Sequence, residues 1–421
     1  MRARHFAQGF SEAPTNYPVA LPGTVTRRRS AAPVGVIRLT AAAGWMRTTG
    51  WRPLVIFTAS RLLAMAAVGV AISTKQGFAA TRFAGPWPKP PSGPLFIQAL
   101  AAWDGGWYTS IAGHGYGASL TPHTASVGFF PLLPSVIRIV GATGLGVLLA
   151  GALVVFVVGG AASIALWLLT AEVCDRQTAD RAVALWAFWP GAFVLSMIYS
   201  EGLTVLLACI CLRALLRRSW VVAGVAAGLA TATAPTAVVL LVCCAWVVIP
   251  ALWRGVWRAG VTLLLAPLGI VGYFLYLYAR SGDLFLWFRV EHTYWQAGTG
   301  VRQGFYDTVV FNWRSFLSHP HFLRSTEPAL GILVAAALLV LLLWWRPPAV
   351  LVIWTVGVVI LALSSAPVGL RPRIFLVAFP LIIALARALR GALHVAVLAC
   401  EAALMGLLFV VALTVIPGVI P

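Results

Sequence analysis

Charge is what this chain has least of. Eleven Asp and Glu and two Lys are spread over 421 residues, and charged residues of all kinds make up 10%. Soluble globular chains carry about 25%, so a water-soluble enzyme, a disordered tail protein and a nucleic-acid-binding domain are all poor starting points. The formal charge of +19 does not reverse this. It reflects scarce acids more than abundant bases, and in so apolar a chain it bears on membrane topology before nucleic acid. Cysteine is sparse too. Cys209, Cys211, Cys243, Cys244 and Cys400 lie in apolar runs and Cys174 in a short polar connection. No spacing resembles a zinc site, and no disulfide framework is implied. No internal repeat is visible, which counts against inverted-repeat transporter folds.

What the chain has is apolar sequence, 61% hydrophobic with a mean hydropathy of +0.92. A crossing helix needs about 20 apolar residues. Runs near 54–72, 147–170, 182–199, 202–216, 220–234, 236–252, 260–279, 329–345, 349–365, 374–388 and 393–415 predict an all-α polytopic membrane protein with about eleven transmembrane helices. A shorter stretch, 128–143, contains Pro131, Pro134 and Arg138 and is read as a juxtamembrane or re-entrant helix.

Arginine placement orients these spans by the positive-inside rule. With Arg27, Arg28, Arg29, Arg38, Arg47 and Arg52 cytoplasmic, the later cytoplasmic connections hold Arg176 and Arg181, then Arg213, Arg217 and Arg218, then Arg254 and Arg258, then Arg346, then Arg387 and Arg390. Only Arg371 and Arg373 break the pattern among short outer loops. Residues 1–50 read as a disordered basic cytoplasmic tail, and Met46, just before the first span, is an alternative start. Residues 51–421 form the transmembrane domain, with long outer loops at 73–146 and 280–328. Arginine's dominance over lysine in an Ala-, Gly- and Val-rich chain fits a GC-rich bacterial genome, hence the bacterial cytoplasmic membrane.

Acids are few enough to weigh singly. Asp104 lies in Trp103-Asp104-Gly105-Gly106-Trp107-Tyr108 in the first outer loop. The aromatics can stack on sugar faces, the glycines admit a ligand close to the backbone, and a partly desolvated carboxylate can serve as general base. The same pattern fits an aromatic belt at headgroup level with one solvated Asp. Tyr199-Ser200-Glu201 places a second carboxylate at the same face; alternatively Ser200 caps a helix and Glu201 meets its macrodipole. Arg371-Pro372-Arg373 suits a phosphate or pyrophosphate, since guanidinium forks match phosphate oxygens, or else snorkels to the interface. His292, His319 and His321, with Glu291 and Asp307, show no metal spacing and read as solvated loop residues. Arg61, inside the first span, snorkels or pairs with a neighbour.

Together these pieces resemble the GPI mannosyltransferase 2 family and its bacterial relatives. The resemblance is carried by Trp103-Asp104-Gly105-Gly106-Trp107-Tyr108, Ile111-Ala112, Gly115-Tyr116 and Gly128-Phe129-Phe130-Pro131-Leu132-Leu133-Pro134. Trp189-Pro190, Tyr199-Ser200-Glu201, Pro235-Thr236 and Pro372-Arg373 with Phe379-Pro380 follow in the family's order. The resemblance implies a GT-C-type membrane glycosyltransferase. It would move a sugar, mannose in most members, from a polyprenyl-phosphate donor to a lipid or glycan hydroxyl on the extracytoplasmic face. Asp104 would stand at the reaction centre, with no metal or other cofactor required. Glu201 is the second catalytic candidate, and Trp103, Trp107, Tyr108, Tyr199, Arg371 and Arg373 are the substrate-binding candidates. Ala234 stands where the family tends to have arginine, and Leu133 and Ile374 where it tends to have tyrosine. A lipid-linked sugar flippase and a catalytically degenerate envelope scaffold are the alternatives. The partners expected are the lipid donor, its acceptor and membrane lipids, with no nucleic acid.

Overall fold

The computed structural model describes residues 50–74, 88, 92–295, 306, 310, 314, 317, 326–364 and 370–414. The expected tail over 1–49, most of the Pro-rich segment 85–91, and Asp307, His319 and His321 lie outside the described residues. Helices and turns make up everything described, with no strand among those residues.

A long first helix, α1 (Trp51–Ser73), is followed by two short ones, α2 (Leu95–Leu100) and α3 (Asp104–His114). Next come α4 (Leu132–Val140), the long α5 (Gly146–Val173), α6 (Arg176–Phe188), α7 (Glu201–Leu216), α8 (Trp220–Thr231) and α9 (Val239–Trp253). The second half contains α10 (Gly260–Leu265), α11 (Leu268–Ser281), α12 (Leu286–Thr293), α13 (Thr326–Trp345) and α14 (Ala349–Ser364). It ends with α15 (Pro372–Val377), α16 (Pro380–Ala388) and α17 (Gly391–Thr414).

Among the described residues, five segments are long and apolar enough to cross a bilayer: Trp51–Ser73, Leu132–Val173, Pro235–Trp253, Trp257–Ser281 and Gly391–Thr414. Three shorter apolar helices, Trp220–Thr231, Ala329–Trp345 and Ala349–Ser364, join them. The described residues thus form an all-α multi-pass membrane bundle, but among them uninterrupted apolar helices do not reach the eleven expected. The reason is local. The run expected over 182–199 is helical only to Phe188, because Pro190 has no N–H and holds Trp189 extended (φ −48°, ψ 144°). The run over 374–388 is divided into α15 and α16 at Ala378–Phe379, ahead of Pro380. The 42-residue apolar run Leu132–Val173 is twice what one crossing needs, and left-handed Gly144 (φ 101°) separates nine-residue α4 from α5.

Two ends of the bundle differ in character. At one, the short helices α2 and α3 meet the segment that follows the α6 break, where the Ile198 N–H donates to the Leu100 carbonyl at 2.8 Å. At the other, Asp175 caps α6 by accepting from the Thr178 N–H at 2.8 Å. There Glu172 binds Arg213 and Arg217 at 2.9 and 2.8 Å, and Asp180 binds Arg52 at 2.9 Å. These partly solvated pairs add little stability each; they show where the acids at that end are committed.

Candidate active site

The break after α6 sets the geometry of one wall. The last carbonyls of a helix have no partner within it. Arg61, buried in α1, supplies donors: its guanidinium binds the Ala187 carbonyl at 2.9 Å, the Ala192 carbonyl at 2.6 Å and the Ser196 hydroxyl at 2.8 Å. Its cation also lies 5.1 Å from the Phe57 ring centroid. Arg61 is therefore a helix-end cap inside the bundle, not a snorkelling side chain. Held this way, Trp189 and Gly191 reach the segment bearing Arg373. The Trp189 indole donates to the Pro372 carbonyl at 2.9 Å, and a Cβ at Gly191 would collide with the Pro372 backbone. Two further indoles grip α15: Trp186 donates to Leu376 at 3.2 Å and Trp354 to Val377 at 2.9 Å. A six-residue helix has little stability of its own, so these three tryptophans do much to fix Arg373.

Asp104 opens α3 behind a strained residue. Trp103 has φ 58° and ψ −126°, a turn conformation normally given to glycine. The turn is closed by the Gly105 N–H on the Ala102 carbonyl at 3.1 Å. What holds Trp103 there is burial, to 5% exposure, and its indole N–H on the Ala412 carbonyl of α17 at 3.1 Å. Gly105 lets the turn press against the backbone: a Cβ there would stand 3.2 Å from the Leu100 carbonyl oxygen and 3.6 Å from that of Ile198. The Ile198 N–H donates to Leu100 at 2.8 Å, tying the first loop to the Tyr199-Ser200-Glu201 segment.

Asp104, Glu201 and Arg373, all expected at one membrane face, meet. Asp104 Oδ2 lies 2.9 Å from Arg373 Nη1, and Glu201 Oε1 lies 3.7 Å from the same nitrogen. Their side chains are 13–18% exposed, recessed but reachable. Tyr199 lies beneath: its hydroxyl accepts from the Asp104 N–H at 3.2 Å, and its ring centroid is 5.8 Å from Arg373 Cζ. Ser200 does not cap α7 with its side chain. Instead its hydroxyl accepts from Tyr108 at 2.9 Å. Arg371 precedes α15 at its N-cap; of the arginine pair, it is Arg373 that pairs with the carboxylates. Three buried polar atoms of this neighbourhood have no hydrogen-bond partner among the described residues: Glu201 Oε2, Arg373 Nε and Trp107 Nε1. Each such atom costs about 1–3 kcal/mol, a cost that a polar ligand would remove.

Aromatic rings wall one side. Trp107 stacks on Phe129 at 5.9 Å, and Tyr108 meets Phe129 edge-on at 5.2 Å. Trp295 closes the cluster at 6.3 Å from Trp107 and 5.8 Å from Phe129, its indole donating to the Ala125 carbonyl at 3.3 Å. Trp103 stands apart from this wall as a buried anchor. Glu291 on α12 comes with Trp295, both lying against Gly128, where a Cβ would stand 3.1 Å from Glu291 Oε1. Burial first, and the charge of Asp104 second, push the Glu291 carboxyl up to about 7. By sequence alone Glu291 falls with the solvated loop residues and Trp295 has no assigned role. The density of aromatics from Phe285 to Trp295 was the available signal that this segment packs. Among the described residues, no group of three or more His, Cys, Asp or Glu is arranged to hold a metal ion.

Comparison with known proteins gives only distant likenesses. No family model matches the chain, and no curated protein matches it. Among solved structures, ArnT from Cupriavidus metallidurans bound to undecaprenyl phosphate is similar at 15% identity over 87% of this chain and 64% of its own, with a TM-score of 0.45. The Archaeoglobus fulgidus oligosaccharyltransferase AglB, in complex with an inhibitory peptide and a dolichol-phosphate, is similar at 14% identity over 90% of this chain and 57% of its own, also with a TM-score of 0.45. The chain spans less than two thirds of the length of either structure.

Proposed function

We propose that this chain is a membrane glycosyltransferase of the GT-C type. It takes a sugar from a polyprenyl-phosphate donor and passes it to a hydroxyl of a lipid or glycan at the outer face of a bacterial cytoplasmic membrane. The observation that carries the proposal is the Asp104–Arg373–Glu201 cluster with its two unpartnered buried atoms, Glu201 Oε2 and Arg373 Nε, and a third, Trp107 Nε1, in its neighbourhood. The motif resemblance favours mannose as the sugar. The arginine asymmetry favours eleven crossings, with α6 and α15–α16 counted as interrupted ones, and puts Asp104 outside.

In this scheme the acceptor oxygen attacks the anomeric carbon while Asp104 takes its proton. The bond from that carbon to the phosphate oxygen breaks on the opposite face, so configuration inverts. The lipid phosphate leaves with the electron pair, its charge met by Arg373 with help from Arg371. A phosphate arriving at Arg373 competes with Asp104 for Nη1, which frees the carboxylate to act as base. Glu201 keeps the guanidinium in place, Tyr199 supports it, and Tyr108 locks Ser200. Trp107 offers its ring and its unpaired N–H to the sugar, and Trp103 acts by positioning Asp104.

A transporter of lipid-linked sugar is the second reading, favoured by Glu401, a buried carboxyl within α17 whose Oε2 has no partner. One assay separates the two. Purified protein in detergent, given radiolabelled polyprenyl-phosphate mannose and a membrane lipid extract, should form labelled product without any second compartment. Asp104→Asn should lower the rate about 10²–10⁴-fold, and Glu201→Gln less. Absence of transfer by the unmodified protein returns the transporter or a degenerate scaffold, while near-normal turnover by Asp104→Asn removes Asp104 as the base.

A further inference from the structure

Two helices end side by side at the end of the bundle opposite Asp104, by the same turn. At the end of α7, the Ser219 N–H donates to Ala214 at 2.8 Å and the Arg218 N–H to Leu215 at 3.1 Å. At the end of α9, the Val256 N–H donates to Ala251 at 3.0 Å and the Gly255 N–H to Leu252 at 2.9 Å. Both are Schellman endings, whose pivot residue is left-handed and usually glycine. Gly255 obeys, with φ 82°; the other pivot is Arg218, with φ 54°.

A groove of about 220 Å³ lies between these turns, lined by Arg218, Trp220, Trp246, Pro250, Arg254 and Val256 among others. Trp246, Pro250 and Arg254 follow one another at four-residue intervals, so they form a stripe down one side of α9, about 12 Å from first to last. Trp246 is 59% exposed on the outer surface of the bundle, and Arg254 marks the helix end. Pro250 has no N–H to give to the Trp246 carbonyl, which leaves an acceptor at mid-groove. Glu172 is taken up by Arg213 and Arg217. Among the described residues, neither Arg218 nor Arg254 makes an ion pair.

We propose that this groove binds the headgroup of an anionic phospholipid. Arg218 and Arg254 hold its phosphodiester, the indole of Trp246 packs beside the glycerol and first acyl carbons, and the freed Trp246 carbonyl accepts from a headgroup hydroxyl. The graded stripe, from an exposed aromatic to a guanidinium, matches a lipid standing upright in a leaflet; a free phosphate would use only its charged end. The site is separate from the reaction centre. Sixteen-residue α7 carries Glu201 at one end and leads to Arg218 just past the other, and the helix itself is about 24 Å long. The proposal does not depend on glycosyl transfer.

The test uses the full chain, delipidated in a non-ionic detergent, with native mass spectrometry and thermal unfolding as readouts. Phosphatidylglycerol, phosphatidylcholine and inorganic phosphate are added in separate arms. Phosphatidylglycerol should bind at least about tenfold more tightly than phosphatidylcholine, which has the same phosphodiester but carries a choline ammonium that the two guanidinium groups repel and offers no hydroxyl to the Trp246 carbonyl, and it should raise the melting temperature. Inorganic phosphate should do neither. Arg218→Gly is the informative variant, because it removes the guanidinium while installing the residue this turn prefers, so folding is retained. Combined with Arg254→Gln, it should abolish the preference between the two lipids. Equal binding of both lipids by the unmodified protein, full retention of phosphatidylglycerol by the double variant, or equal protection by inorganic phosphate would each overturn the proposal.

Discussion

Glu291 and Asp104 lie within electrostatic reach of one another, and the consequence can be measured. Glu291 is pushed up to about 7, by burial first and by the Asp104 charge second. A carboxyl raised on folding holds its proton more tightly in the native state than in the unfolded chain. Native stability is then greatest below the usual carboxylate range and falls as pH rises through about 7. The loss attributable to Glu291 across that window is about 2–3 kcal/mol. Thermal unfolding in detergent from pH 4.5 to 8 should show this decline, and Glu291→Gln should flatten it; an unchanged slope in the variant would place the titration elsewhere. The contrast with Asp104 shows what a sequence discloses at this scale. Asp104, Glu201 and Arg373 stood out because acids are rare and an outer arginine defies the charge trend. Glu291 did not, because its burial depends on α12 folding back over the turn at Gly128, and no local pattern records that.

Helix interruptions organise the site at the next scale. Apolar runs at 182–199 and 374–388 read as crossings because apolarity measures what a segment can sit in, not whether its backbone is continuous. Pro190, Pro372 and Pro380 are plain in the sequence, yet a membrane helix tolerates proline when neighbours satisfy the freed groups. Here the neighbour is Arg61, whose donors close the end of α6. Replacing it with leucine leaves carbonyls unpaired in an apolar interior, at about 1–3 kcal/mol for each buried group. Arg61→Leu should therefore melt at a lower temperature. It should also lose turnover at temperatures where it remains folded, because Trp189 no longer holds the Pro372 carbonyl. Arg61→Lys should regain part of the stability by satisfying fewer of the acceptors. If Arg61→Leu keeps both melting temperature and turnover, the α6 break does not need its cap.

Across the whole molecule, the carboxylates and Arg373 gather at one end and the paired Arg213, Arg217 and Glu172 at the other. If the arginine asymmetry gives the orientation, Ser119→Cys, in the exposed turn after α3, should react with an impermeant thiol reagent in intact cells. Ser219→Cys, exposed at the far end, should react only after permeabilisation, each measured against the unsubstituted protein. The reverse pattern would invert the topology and place the Asp104–Arg373–Glu201 cluster at the cytoplasmic face. The bundle's class and its two-ended charge were legible from composition. The number of unbroken helices was not, since it depends on partners distant in the chain. One such partner sets an order of events during biosynthesis. The turn that presents Asp104 is held by Trp103 on the carbonyl of Ala412, 309 residues later. Translation makes most of the described helices before that carbonyl exists, so the nascent chain carries the Trp103–Asp104 turn unset until α17 is made. A polypeptide released before α17 would carry most of the helices but leave the Trp103–Asp104 turn without its Ala412 anchor.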